Sequence, residues 1–402
     1  MSVLKDKNVL LGVTAGIAAY KSAFLTRLLI KAGAHVKVIM TPASKDFVTP
    51  LTLSTLSKNK VFSSFTSEED ENEVWNNHVE LGLWADLFII APATANTLSK
   101  MTNGTCDNLL LATYLSAKCP VYLAPAMDLD MYKHPSTKQS LEHLASFGNH
   151  IIPAEKGELA SGLQGEGRMA EPEHIMKAIE QDLESKLPLR HKKVLISAGP
   201  TYEAIDPVRF IGNHSSGKMG FEIAEVAAKL GAQVILVAGP TALQIRQDAI
   251  ERHDVTSANE MYNEMHNHYD NADIVIMTAA VADYRPANVA AHKIKKTDTT
   301  LSLKLEKTQD ILKSLGECKT HQFLVGFALE TQNEVENATQ KLKRKNLDAI
   351  VLNSLQDKGA GFGSDTNKVT FITAKNQIIE HVLKSKTEVA EDLINFIIQH
   401  HA

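Results

Sequence analysis

A helix-period segment, a glycine and a short β-branched run recur at two distant points of this chain: KAGAHVKVIMTP around Gly33 and KLGAQVILVAGP around Gly231. Glycine most readily takes the left-handed turn that ends a helix, and the apolar run after it reads as a buried strand. The alternation continues along the chain, which predicts α/β architecture with helices covering mostly parallel sheets. Strands are expected at Asn8–Val13, Val36–Met40, Leu87–Ile90 and Val121–Ala124, then at Lys193–Ser197, Val234–Val237, Ile274–Met277, Phe323–Phe327 and Ala349–Leu352. The first runs into a helix ending near Lys31. Gly199 and Pro200 break the fifth, and a helix is expected from near Ser216 to Gly231. One shared joint is weak support for duplication, but it does support two separate α/β units. The charged stretch Glu184–Lys193, containing Pro188, divides them into 1–188 and 189–402. A polar, Lys-rich segment, Val289–Lys307, interrupts the second unit, and so long a loop is usually functional or mobile.

Composition excludes several functions. With 42 Lys+Arg against 47 Asp+Glu the formal charge is −5, so nucleic acid is not an expected partner. Cys106, Cys119 and Cys318 are too few and scattered for a disulfide framework or a CxxC metal site. The 16 His form no HExxH or Cys/His cluster, which disfavours a transition-metal site. The N-terminus enters a strand almost at once, so no cleavable signal is expected. The longest apolar runs are strand-sized, so no membrane span is expected either. These features suit a reducing cytoplasm.

Several motifs carry chemistry. GVTAGIAAYK places small residues between a strand and a helix start, where free N–H groups and the helix dipole favour a phosphate. It is not G-x-G-x-x-G, and close packing alone explains it about as well. The turn Ala91-Pro92-Ala93-Thr94-Ala95-Asn96-Thr97 follows another strand, and the two together favour a mononucleotide or flavin site. Tyr114 and Lys118 have Tyr-x-x-x-Lys spacing, read here as two residues sharing a helix face. His78, a lone histidine before a buried strand, has a modest claim to catalysis. Gly212-Asn-His-Ser-Ser-Gly217-Lys218-Met219 nearly spells a P-loop. Met219 replaces its Ser/Thr and the preceding stretch does not read as a strand, so a Gly/Ser-rich anion cradle with Lys218 beside it is the expectation. Asp283, with Lys293 to Lys296, Lys341 and Lys345 further on, suits magnesium–triphosphate binding, although charge runs are mostly solvated faces.

GVTAGIAAYK, APATANT, PAMDLDMY and GEGRM, then SAGPTYEAIDPVRFIGNHSSGKMG, AAVADYRP, KIKK, GFALET and KRKNLD, occur in this order. Over nearly its whole length the chain thereby resembles the bifunctional coenzyme A biosynthesis family, phosphopantothenoylcysteine decarboxylase fused to phosphopantothenate–cysteine ligase. The resemblance implies two doubly wound domains: a flavodoxin-like flavin-containing Cys decarboxylase fold, then a Rossmann-like ligase fold. It implies FMN held by Gly16, Ile17, Ala18, Thr41, Ala93, Thr94, Asn96 and Thr97. His78 would assist oxidation of the cysteine-derived thiol to a thioaldehyde, from which CO₂ leaves to give an ene-thiolate. In the ligase half, CTP and phosphopantothenate give an acyl-cytidylate handled by Asn213, and the cysteine amine displaces CMP.

The same likeness assigns Asp283 to the nucleotide or its Mg²⁺ (or Mn²⁺), Lys293, Lys341 and Lys345 to phosphates, and Phe327 to packing by the nucleotide. Thr308, Gln309, Asp310 and Ile311 occupy a nucleotide-contacting turn, with Gln309-Asp310-Ile311 replacing the usual Pro-Asp-Ile. Two further departures concern the decarboxylase. Asp128 replaces the Asn that holds the substrate carboxylate, and Ser161 replaces the Cys of the reductive step. Homo-oligomers are implied, trimers through the flavin half and dimers through the ligase half. The departures keep open an active ligase whose decarboxylase half stops at the ene-thiol or is inactive. A non-enzymatic regulatory partner is the third reading.

Overall fold

Leu10 and Leu11 are neighbours in sequence and fully buried, yet they belong to different hydrophobic clusters. Successive strand side chains point to opposite faces, so both faces of this strand must be covered. The computed structural model describes residues 2–66, 75–159, 161–295, 301–330, 332–354 and 364–401, in two units, Met1–Ser185 and Lys186–Ala402. In the first, β1 (Asn8–Val13), β2 (His35–Met40), β3 (Val61–Phe62), β4 (Leu87–Ala93), β5 (Val121–Pro125) and β6 (His150–Ile151) form a wholly parallel sheet, ordered β3-β2-β1-β4-β5-β6. Without the short edge strand β3 this is the flavodoxin-like order.

The helices of this unit are α1 (Lys21–Lys31), α2 (Pro50–Ser57), α3 (His78–Trp84), α4 (Ala95–Thr102), α5 (Leu109–Ser116), α6 (Leu129–Lys133), α7 (Pro135–Ser146) and α8 (Pro172–Ser185). Leu25 and Leu29 of α1 and Ile175 and Ile179 of α8 pack with Leu11 on one face of the sheet. Leu98 of α4 and Leu110 of α5 pack with Leu10 on the other. A hairpin of β7 (Glu155–Glu158) and β8 (Gln164–Arg168) stands apart from the sheet. Helix α5 ends at Ser116 and Ala117 is extended, so Tyr114 and Lys118 do not share a helix face as expected. The Tyr114 hydroxyl instead accepts from Asn149 Nδ2 at 3.1 Å.

The second unit contains β9 (Lys193–Ala198), β10 (Tyr202–Ala204), β11 (Phe210–Gly212), β12 (Gln233–Ala238), β13 (Ile250–Asp254), β14 (Ile274–Met277), β15 (Tyr284–Pro286), β16 (Leu305–Lys307), β17 (Phe323–Glu330), β18 (Ala349–Ser354), β19 (Thr366–Asn367), β20 (Val369–Thr373), β21 (Ile378–Glu380) and β22 (Lys384–Ser385). Eight of them make one sheet, β13-β12-β9-β14-β17-β18-β20-β21, parallel as far as β18 and antiparallel beyond. Its parallel part has the Rossmann order. Helices α9 (Lys218–Lys229) and α13 (Lys386–His400) cover the Ile196 face, and α10 (Ala258–Tyr269), α11 (Ile311–Glu317) and α12 (Glu334–Arg344) cover the Leu195 face.

Gly33 and Gly231, the two helix–strand joints, have φ of +87° and +97°. A Cβ at Gly231 would also lie 2.9 Å from that of Leu187, so a side chain is excluded by conformation and by space. Helix α9 starts two residues later than expected, because Gly217 takes φ +79° as its N-cap. The stretch before GNHSSGK is a strand after all, β11. It pairs antiparallel with β10 in a two-stranded hairpin, so it does not supply the central strand of a P-loop. The Val289–Lys307 segment also ends in structure, with β16 pairing antiparallel to β15.

Candidate functional sites

In the first unit a cleft of about 930 Å³ opens at the carboxyl ends of β1, β2, β4 and β5. That is where a doubly wound sheet offers a ligand site, because its connections diverge there. Gly16, Ile17, Ala18, Thr41, Thr94, Asn96, Thr97 and Asp128 all line it. Thr14 knits two of the turns together, donating to the Pro92 carbonyl at 2.7 Å and accepting from the Thr94 N–H at 3.2 Å. A Cβ on Gly16 would come within 3.3 Å of Thr94 Cγ2, so glycine keeps the two turns close. The Thr41 hydroxyl oxygen is buried with no hydrogen-bond partner among the described residues. Such an atom calls for a polar partner that a ligand can supply.

The expected reacting residues are less well gathered. Asp128 caps α6, its Oδ1 accepting from the Leu129 N–H at 2.6 Å. His78 opens α3 outside the cleft lining, its ring edge-on to Phe65 and Trp75 and its Nδ1 buried without a partner among the described residues. Ser161 is exposed in the turn joining β7 and β8, also outside the lining, and Ala160 beside it lies outside the described residues. Ala93 is fully buried under the turn, its carbonyl accepting from the Ala126 N–H at 3.1 Å. It supports the cleft without facing it.

Sequence reasoning missed Lys21, a buried cation in the cleft wall. Its Nζ donates to the Met169 carbonyl at 2.9 Å and pairs with Glu171 at 3.0 Å. Burial would raise the Glu171 carboxyl, but Lys21 and Arg168 outweigh it and hold it below the usual range. The signal was present, because Lys21 closes the GVTAGIAAYK motif as its one charged residue.

The second unit holds a cleft of about 730 Å³ at the ends of β14, β17 and β18. Asn213, Asp283, Thr308, Gln309, Asp310, Ile311, Phe327, Lys341 and Lys345 all line it, as do Gly217 and Lys218 at the start of α9. Asn213 Nδ2 donates to the carbonyls of Ala280 and Val281 at 3.3 and 2.9 Å, pinning its loop to AAVADYRP. Thr308 is fixed by its Oγ1 to the Ala282 carbonyl at 2.6 Å and by its N–H to the Asp283 carbonyl at 3.0 Å. Lys341 Nζ donates to the Phe327 carbonyl at 3.0 Å.

Burial, then the neighbouring Lys345 charge, lowers the Lys341 ammonium below the usual lysine range. Asp310 caps α11 and pairs with Lys345 at 2.8 Å. Burial would raise its carboxyl, but the hydrogen bonds from Lys345 and the Lys313 N–H outweigh that and hold it low. Lys293 does not join this group. It is exposed, on a segment anchored by the Ile294 N–H to Asp206 at 3.1 Å, while Lys296 lies outside the described residues.

Lys386 and Asn353 are among the cleft residues that escaped the sequence reading. Lys386 is only 5% exposed at the first position of α13, its ammonium lowered by burial and then by Lys218. Asn353 of β18 has a buried Oδ1 without a partner among the described residues. Neither stands in a turn motif. Away from both clefts the fold brings His253, Glu264 and His268 together, a grouping that the search for HExxH or adjacent Cys/His did not reveal. Among the described residues no helix is long and apolar enough to cross a membrane, and all three cysteines are free thiols.

Comparison with known proteins extends this picture. Residues 2–184 match the Flavoprotein family, and residues 189–400 match the DNA/pantothenate metabolism flavoprotein C-terminal domain. The chain is 52% identical over 356 residues, 87% of its length and 99% of the relative's, to a Cysteine/Cysteine sulfinic acid decarboxylase from an unknown prokaryotic organism. It is 46% identical over 397 residues, 98% of its length and 97% of the relative's, to the Coenzyme A biosynthesis bifunctional protein CoaBC of Bacillus subtilis strain 168. Among solved structures it is similar to a C-terminal domain of a CoaBC protein, at 46% identity and a TM-score of 0.46, covering 54% of this chain and 98% of that one.

Proposed function

Because this chain belongs to the family of coenzyme A biosynthesis bifunctional proteins, we propose that it carries out two consecutive steps of that synthesis. Residues 189–402 join cysteine to 4'-phosphopantothenate at the expense of CTP. Residues 1–188 then decarboxylate the phosphopantothenoylcysteine to 4'-phosphopantetheine with FMN. The observation that carries this reading is the second cleft, where Lys341, Lys345 and Lys386, a capped acidic turn and Asn213 converge at the strand ends.

Lys341, Lys345 and Lys386 neutralise the triphosphate, and the first turn of α9 presents N–H groups to it. Asp310 acts by holding Lys345 in place. Phe327 packs by the nucleotide, with Thr308, Gln309 and Ile311 forming the turn against it. The exposed Asp283 carboxylate lines the cleft and makes no hydrogen bond or ion pair among the described residues, which fits a hard cation shared with phosphate oxygens, Mg²⁺ or Mn²⁺. The phosphopantothenate carboxylate attacks the α-phosphorus of CTP and pyrophosphate leaves. The cysteine amine then attacks the acyl carbon and CMP leaves. To donate to the mixed anhydride, the Asn213 Nδ2 turns away from the Ala280 and Val281 carbonyls that hold it in the free protein. Lys293 contributes charge from outside the cleft wall.

The first cleft fits FMN, since the unpartnered Thr41 hydroxyl and the close-set turns call for a polar, phosphate-bearing ligand. When bound, FMN supplies the reversible oxidation of the cysteine-derived thiol that lets the adjacent carboxylate leave. Gly16, Ile17, Ala18, Thr41, Thr94, Asn96 and Thr97 hold it, with Ala93 as the floor beneath. His78 assists the oxidation, and Ser161 stands at the final protonation. Two carboxylates in contact repel, so at the substrate carboxylate Asp128 has to be protonated, paired or turned aside. Self-association, as trimers through the first unit and dimers through the second, is part of this reading, and exposed Ile17, Tyr20 and Phe24 beside the first cleft support it. A cytoplasmic setting accords with the three free thiols.

The test is to incubate the purified protein with phosphopantothenate, cysteine, CTP and Mg²⁺. Phosphopantetheine, CO₂, CMP and pyrophosphate are expected. Accumulated phosphopantothenoylcysteine would leave only the ligase step standing, and accumulated ene-thiol would leave ligation and oxidative decarboxylation without the final reduction. Absence of pyrophosphate release would overturn the reading. Free cysteine and cysteine sulfinate, the substrates in the name of one relative, serve as competitors in the same assay.

A further inference from the structure

On the far side of the second unit's sheet from α9, His253, Glu264 and His268 bring three donor atoms within 4.8 Å of one another. Glu264 and His268 are one turn apart on α10, so their side chains share a face. His253 comes from β13, the edge strand of the sheet. Both imidazoles aim at one carboxylate oxygen, His253 Nδ1 at 2.8 Å and His268 Nε2 at 2.9 Å from Glu264 Oε1. All three side chains are about a quarter exposed, so a small ion can enter. None of them lines either cleft.

A fourth residue makes the group more than a hydrogen-bonded trio. The other ring nitrogen of His253, Nε2, lies 3.0 Å from Glu251 Oε1. A proton on Nε2 shared with that carboxylate leaves the Nδ1 lone pair directed at the centre of the group. Metal-binding histidines are held by an outer carboxylate in this way, which fixes the tautomer and makes the ring a better donor. The acid also lies two residues away on the same strand, on the same face as His253.

We propose that His253, Glu264 and His268 form a binding site for a divalent transition-metal ion of the zinc class, with Glu251 as the residue that positions His253. Two imidazoles and one carboxylate match zinc, nickel or cobalt and do not match magnesium, which takes oxygen donors. Donors around a tetrahedral zinc stand about 3.3 Å apart, given bond lengths near 2.0–2.1 Å, so the present 2.8 and 2.9 Å contacts need to open by roughly half an ångström. The ion takes the place of the proton that His268 shares with Glu264 and releases it on binding. With three protein ligands the site keeps at least one position for water or an exogenous donor. Its structural effect is to tie the sheet's exposed edge strand to α10.

The experiment titrates Zn²⁺ into the full-length, untagged protein, without nucleotide, by calorimetry. One saturable equivalent per chain is expected, with a rise in melting temperature. E264Q and the double variant H253Q/H268Q are expected to lose that equivalent. E251Q is expected to keep it with about ten- to hundredfold weaker affinity. Ligase turnover and the circular dichroism spectrum check that the variants fold. As a measurement independent of variants, anomalous scattering at the zinc edge from soaked crystals is expected to place the ion between His253 and His268. Absence of saturable zinc binding, unchanged stoichiometry in the folded double variant, or an anomalous peak elsewhere would each overturn the proposal.

Discussion

The two clefts occupy equivalent places in their sheets, yet they differ in how much of their expected chemistry one chain assembles. The second gathers every expected residue except Lys293, and it adds Lys386 and Asn353. The first gathers the cofactor turns above a buried Ala93, but of its three expected reacting residues only Asp128 faces the cleft. Turn residues directly after a strand are placed by the sheet itself. His78 and Ser161 are placed by a helix start and a hairpin turn, elements with more freedom relative to the strand ends. The second cleft thus presents a formed cluster of cations, and the first a formed cradle whose expected reacting residues lie mostly at its margin. Substitutions in the second should therefore disturb reaction steps, and those in the first cradle should disturb cofactor retention.

The largest expected effect breaks the reaction in the second cleft without touching the first. Asn213→Ala should lower product formation by about 10²–10³-fold, the usual loss when a donor that turns to a developing oxyanion in the bound state is removed. The acyl-cytidylate should build up in quenched samples, with the flavin spectrum unchanged. Normal product formation by this variant would remove Asn213 from the chemistry.

Lys341→Gln comes next, with an expected rise of tenfold or more in the apparent KM for CTP and little change in that for cysteine. The same group sets a pH dependence. Its ammonium is lowered by burial and by Lys345, so the charge is lost at a lower pH than for an ordinary lysine. The protonated form binds triphosphate, so kcat/KM for CTP should fall as pH rises through that lowered value. Because kcat reports the nucleotide-bound enzyme, where the phosphates hold the proton in place, it should fall only at higher pH. Coincident profiles for kcat and kcat/KM would show that Lys341 does not meet the phosphates.

For the first cleft, Thr41→Val removes a buried hydroxyl that has no partner among the described residues. If the hydroxyl serves FMN, flavin affinity should weaken by about tenfold, the worth of one hydrogen bond to a charged or polar ligand, while the apoprotein keeps or gains stability. Visible absorption after dialysis and apoprotein melting would check the two halves of this outcome. Unchanged flavin retention would assign the unpartnered oxygen to something other than the cofactor.

The α/β class and both left-handed glycine joints were legible because burial on two faces and a positive φ leave direct marks on local sequence. Gly33 and Gly231 show this most plainly. The hairpin strand β11 was not legible, since three residues carry too little periodicity. Among site residues, those within turn motifs could be read, from Gly16 to Lys345. Asn353 and Lys386 could not. Asn353 sits inside an apolar strand and Lys386 at a helix start, and only the sheet order brings both to one cleft. His253, Glu264 and His268 were hidden for a related reason. Glu264 and His268 show helical spacing, but the third donor comes from a strand that only the fold sets beside them.

Lys293 provides the smallest effect and the sharpest check on motif carry-over. The family resemblance assigns it to the phosphates. The structure holds it exposed on a segment tied to Asp206 through Ile294, outside the cleft wall. A solvated charge at that remove acts through a screened field, with a Debye length of about 8 Å at physiological ionic strength. Lys293→Gln should therefore raise the CTP requirement less than Lys341→Gln does, leave the cysteine requirement alone, and lose even that difference in high salt. Initial rates against CTP at two ionic strengths measure it. An effect equal to that of Lys341→Gln and insensitive to salt would mean that Lys293 touches the triphosphate directly in the bound state. The self-contained site would then have to be redrawn to include the Asp206-anchored segment.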